Sequence, residues 1–180
     1  MKNIITYSLL TSVAFGLTVS FTEVTYAAGS GSSNPATVTC RKGKIWDKRK
    51  KRCVRIEKKS SLSDDNLYEA ARDLAYNRRY QEAIETLQLA SNQQDPRILN
   101  YLGYSTRKLG DVKAGLKYYQ AALKADPDYT LVREYMGEAF LQLGQVAKAQ
   151  EQLSEIKARC GESCREYAML DDQISAYLKR

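Results

Sequence analysis

Histidine is absent from this 180-residue sequence, and that single absence removes more function classes than any residue present. Without an imidazole, histidine-based acid/base catalysis, Ser-His-Asp triads and most zinc catalysis are excluded. No glycine-rich phosphate loop is present either. Adjacent carboxylates occur at Asp64-Asp65 and Asp171-Asp172, but neighbours in sequence point in different directions on a helix and suit caps or solvent better than a shared site. The expectation is a protein that is not an enzyme and uses no cofactor and no metal. Composition is otherwise that of a globular chain, 43% apolar and 27% charged, not of a disordered one.

The start of the chain has a different character. Lys2 precedes a mostly apolar run from Ile4 to Phe21, followed by small residues at Thr25 and Ala27. This order of a positive start, an apolar stretch and a small-x-small site predicts a secretory signal peptide, residues 1–27, cleaved near Ala27. An uncleaved anchor helix is the competing reading, and Ser8, Thr11, Ser12, Thr18 and Ser20 dilute the run against it. The Gly/Ser-rich stretch 28–39 then reads as a flexible linker.

Cysteine is scarce, four in the chain. In an exported protein an oxidising compartment favours disulfides over thiols or metal thiolates. Cys40 and Cys53 bracket a hairpin-sized loop, and Cys160 and Cys164 lie four apart. Of three connectivities, the local one, 40–53 with 160–164, is expected. A redox or metal role fits poorly, because the spacing is neither C-x-x-C nor that of a zinc ribbon.

The net charge of +7 is concentrated. Arg41, Lys42, Lys44, Lys48, Arg49, Lys50, Lys51, Arg52, Arg55, Lys58 and Lys59 face only Asp47 and Glu57, whereas the region from Asp64 onward is slightly acidic. One short segment, 40–59, therefore carries the basicity, which argues against reading the whole protein as a nucleic-acid binder. Ile45 and Trp46 are its bulky apolar groups, and it is too small to hold a core without its disulfide.

From residue 60 to 180 apolar residues recur at three and four spacing with no period-two segment, so this region is predicted to be all helix. A shift of 34 residues superimposes Leu102 on Met136, Gly103 on Gly137, Leu109 on Leu143 and Gly110 on Gly144. A shift of 32 puts Ala71 under Gly103 and Ala83 under Gly115. Such a period marks a solenoid of helical hairpins. Gly103 and Gly115 are expected where two helices approach closely, Gly110-Asp111 as the turn between them, and Pro127 as the stop.

Leu102-Gly103, Gly115, Tyr119 and Pro127 resemble the tetratricopeptide repeat (TPR) motif, covering about three repeats from Asp64 to Cys160, with "CREYAMLDDQISAYLKR" as a capping helix carrying Tyr167, Leu170, Ile174 and Leu178 on one stripe. The cysteine-bounded basic loop (Cys40, Gly43, Trp46, Asp47, Cys53) and the ending Cys160, Cys164, Glu166, Tyr167 are similar to small exported TPR proteins of Gram-negative bacteria, which implies a periplasmic location. The family resemblance further implies a concave groove that takes a protein or peptide. Its lining would be Asp65, Tyr68, Arg72 and Tyr76, then Arg97, Asn100, Tyr104, Arg107 and Lys108, then Glu134, Glu138, Leu141 and Gln142. Arg72, Arg97, Arg107 and Lys108 with Tyr68 and Tyr104 would receive an acidic or C-terminal carboxylate; the plainer reading is solvated surface charge. An exported adaptor is thus expected. The alternative function is attachment to an anionic membrane surface or envelope polymer through the basic loop. Three repeats are near the minimum for stability alone, which leaves dimerisation through an end repeat open.

Overall fold

Residues 38, 40–47, 49–55 and 62–179 are described by the computed structural model. The predicted signal peptide, nearly all of the linker, Lys48 and residues 56–61 lie outside them.

The cysteine-bounded loop is a β-hairpin, which the helical reading of the chain did not specify. β1 (Lys44–Asp47) and β2 (Arg52–Arg55) pair antiparallel with Trp46 opposite Cys53. Asp47 holds the turn by accepting from the backbone N–H groups of Arg49 (2.9 Å) and Lys50 (3.0 Å). Cys40 and Cys53 are joined, as are Cys160 and Cys164, with S–S distances of 1.97 and 2.10 Å. A loop the size of the first stabilises by about 3 kcal/mol in the chain-entropy model.

Among the described residues seven helices follow: α1 (Asp64–Tyr76), α2 (Tyr80–Leu87), α3 (Pro96–Lys108), α4 (Val112–Ala125), α5 (Thr130–Gln142), α6 (Val146–Cys160) and α7 (Arg165–Leu178). Their ends follow from local chemistry. Ser63, Asp95 and Asp111 accept from the backbone N–H of Asn66, Arg97 and Ala114, and Pro96 opens α3 at a position that needs no N–H. Gly110 and Gly144 end α3 and α5 with φ of +107° and +71°, a left-handed backbone that glycine adopts freely. The equivalent position of the first repeat is Arg78, also left-handed at φ 62°.

The helices pair as α1–α2, α3–α4 and α5–α6, and α7 closes the last pair. Among the described residues, the odd-numbered helices also touch in succession, α1 to α3 to α5 to α7, while α2, α4 and α6 do not touch one another. The solenoid therefore curves with α1, α3 and α5 on its inner side.

Close approach within the middle hairpin is made by glycines. A Cβ on Gly103 would stand 2.7 Å from the Tyr119 ring, and one on Gly115 would stand 2.9 Å from the Gly103 carbonyl oxygen. The core forms two clusters, one around Leu67, Leu87, Ile98 and Tyr101, the other around Tyr119, Val132, Phe140, Ile156 and Leu170. Tyr104 and Tyr118 pack against both. In the capping helix Leu170 and Ile174 are buried, but Leu178, expected on the same stripe, is the last residue of α7 and is 63% exposed.

Ile45 belongs to the first cluster and is 2% exposed. Around it Arg79 donates to the Cys40 carbonyl (2.7 Å) and Glu82 accepts from the Gly43 N–H (3.0 Å). The hairpin is therefore seated on the first repeat and supplies part of its core.

Candidate functional site

The inner face is built on tyrosines. Tyr68 meets Tyr101 edge-on (5.7 Å), Tyr101 meets Tyr104 (6.0 Å), and Tyr104 meets Tyr135 (4.9 Å), so one aromatic row runs across α1, α3 and α5. Tyr76, 56% exposed, shares a 2.8 Å hydroxyl–hydroxyl hydrogen bond with buried Tyr101. Burial pushes the Tyr101 and Tyr135 hydroxyls far up, so they stay protonated.

Cations lie over this row. Arg72 and Arg97 stand 5.9 and 5.0 Å from the Tyr68 ring centre, and Arg107 and Lys108 stand 5.6 and 5.4 Å from that of Tyr104. The structure thus groups the four cations and two tyrosines singled out from sequence, but they differ in availability. Arg97 is engaged by Asp95 (2.6 Å) and Asp65 (2.9 Å). Arg72 is 3.7 Å from Asp73. Lys108 is exposed and has no carboxylate within ion-pair distance among the described residues.

Four residues read as groove-lining are buried, Leu141 and three polar ones. Asn100 and Glu134 are fully buried, and Arg107 has no exposed side-chain surface. Arg107 and Glu134 direct their polar groups to other helices, α4 and α5 for Arg107 and α7 for Glu134, instead of to solvent. Arg107 pairs with Glu138 and donates to the Tyr119 hydroxyl at 3.2 Å. Gln173 of α7 donates to Glu134 (3.2 Å) and Glu138 (2.8 Å). Burial, reinforced by the neighbouring Glu138, pushes the Glu134 carboxyl up to about 8.

Beside this cluster an open cleft of about 330 Å³ is lined by Lys108, Glu138, Leu141, Gln142, Gln173 and Tyr177. Its α7 wall was missed from sequence, where that helix reads as a cap and its polar side as solvent-facing.

The hairpin is the second candidate surface. Arg41, Lys42, Lys44, Arg49, Lys50, Lys51 and Arg52 are exposed and Trp46 is half-buried against α1. Lys50 lies 3.8 Å from Asp47, whose carboxyl is held below its ordinary value, first by the Lys50 N–H. At the other end Cys160, Cys164 and Glu166 bring three donor atoms within 4.8 Å. With the two sulfurs bonded to each other, neither is the thiolate that would bind a metal. Among the described residues no helix is long and apolar enough to cross a membrane.

No curated protein matches the sequence. Among solved structures, the Yersinia enterocolitica type III secretion chaperone SycD, in complex with a peptide of the translocator YopD, aligns at 21% identity and TM-score 0.54 over 64% of this chain and 88% of that one. PcrH, in complex with the chaperone binding region of PopD, aligns at 21% and 0.54 over 67% and 96%. The first TPR of Spaghetti (RPAP3), bound to the HSP90 peptide SRMEEVD, aligns at 16% and 0.56 over 68% and 98%. At these identities the likeness is one of fold. Family models described as tetratricopeptide repeat match residues 68–130 and 107–174. Together they span more than half of the chain, which belongs to the tetratricopeptide repeat family.

Proposed function

We propose that the protein is a non-catalytic adaptor of the bacterial periplasm that holds a partner protein in the curve formed by α1, α3 and α5. The observation that carries this reading is the aromatic row of Tyr68, Tyr101 and Tyr104 overlaid by cations, of which Arg72, Arg97 and Lys108 reach solvent, Arg97 already paired with Asp95 and Asp65. Tyrosine and arginine supply rigid area and charge-assisted contacts, the combination that dominates binding energy at interfaces. Peptide complexes of SycD, PcrH and the Spaghetti domain support the same reading by fold. The segment bound would carry a carboxylate, on Lys108 and Arg72. Crosslinking in envelope extract tests this: a Lys108→Glu, Arg72→Glu variant is expected to lose a protein that the unaltered chain retains. Equal capture by both would sink the groove reading.

A second reading is favoured by the exposure of eight cations on the hairpin, Arg55 with the seven already named. They suit an anionic membrane surface or envelope polymer, each worth about 1 kcal/mol near a charged bilayer. Such attachment falls steeply as salt rises, whereas a desolvated groove contact does not.

A further inference from the structure

Two non-glycine residues among those described hold a left-handed backbone, Lys51 at φ 47° and Arg78 at φ 62°. Both are exposed cations. Arg78 occupies the turn position that the other two repeats fill with Gly110 and Gly144, so the fold itself favours glycine there. Strain kept where glycine would relieve it directs attention to the side chain.

Arg78 lines an open cleft between the hairpin and the α1–α2 and α3–α4 turns, together with Lys42, Tyr80, Glu85 and Leu109. Its wall is already saturated. Arg79 donates to Glu82 at 2.9 and 2.7 Å and to the Cys40 carbonyl, while Glu82 also accepts from Gly43. Lys42 and Arg78 have no carboxylate within ion-pair distance among the described residues. Leu109 is 53% exposed beside them.

We propose that this cleft is a second binding site, which takes an acidic segment of a partner polypeptide. A carboxylate seats on Arg78 and Lys42, and an adjoining apolar side chain covers Leu109 and the Tyr80 ring. Glu82 and Glu85 stand in the same recess, so a polymer charged at every unit is repelled where an isolated carboxylate is not. A recess also admits one chain more readily than a flat bilayer. The site uses none of the groove residues and does not rest on the groove reading.

Anisotropy of a fluorescein-labelled glutamate–leucine peptide, titrated with the disulfide-bonded protein, measures the affinity. Arg78→Gly is expected to weaken binding about tenfold while raising Tm by about 2–6 °C. Lys42→Glu weakens binding to a similar extent, Arg78→Lys restores it, and Lys124→Glu, at an exposed cation of α4 that lines neither cleft, leaves it unchanged. A purely structural arginine would not move affinity and Tm in opposite directions. The proposal is overturned if the unaltered protein does not bind the peptide, or if Arg78→Gly keeps full affinity or lowers Tm. Tighter binding to phosphatidylglycerol vesicles or to an oligonucleotide, lost in the same variants, overturns the peptide as occupant.

Discussion

A carboxyl taken out of water without full pairing keeps its proton, and Glu134 is in that position. It is fully buried, Glu138 is its neighbour, and Gln173 donates to one of its oxygens. Burial and Glu138 raise it from 4.5 to about 8, so the folded state binds the proton more tightly than the unfolded one. Its contribution to stability is complete below about 4.5 and is lost as pH rises through about 8. Tm should therefore decline across that window, and Glu134→Gln should flatten the decline; an unchanged slope in a pH series would refute the assignment. The burial itself was not legible. Glu134 occurs at a helical position where an inner-face residue meets either solvent or the next helix, and the packing of α7 decides which.

Helix pairing rests on positions where nothing larger than hydrogen fits. A methyl at Gly103 meets Tyr119 at 2.7 Å and the Gly115 carbonyl oxygen at 3.0 Å. Tyr119 cannot retreat, being fully buried and bonded by Arg107. Gly103→Ala should therefore cost roughly 1–3 kcal/mol, read as a lower urea midpoint with an unchanged m-value. This pair was legible in sequence because the 34-residue shift aligns Gly103 with Gly137, and Gly115 follows twelve residues later. Two helix ends were legible as well, the turn at Gly110-Asp111 that closes α3 and the stop at Pro127 just after α4. The left-handed Arg78 was not, since arginine carries no signal for that backbone and the "NRRY" stretch only marks a missing glycine.

A stack of repeats exposes the apolar side of its first and last units, and something must cover both. Here α7 covers the last and the hairpin covers the first through Ile45. Sequence reading recognised the first cover as a helix with a stripe. It treated the hairpin as a separate basic loop, because one isoleucine in a cationic loop has no periodicity to announce where it goes. Ile45→Ala should lower stability by about 2–4 kcal/mol. In hydrogen exchange the amides of α1 and α2 should lose protection first, while those of α5 and α6 change little; uniform loss would show that the hairpin is not a local cover.

The sole tryptophan, Trp46, is on this cover, while the thirteen tyrosines include the row along the inner face. Half-buried where the hairpin meets Ala70 and Asp73 of α1, its indole is a built-in optical gauge. Undocking of the hairpin shifts its emission toward that of a hydrated indole and leaves the tyrosine signal of the repeats in place. Light from one residue then reports whether the solenoid is closed at its first end, with no label attached.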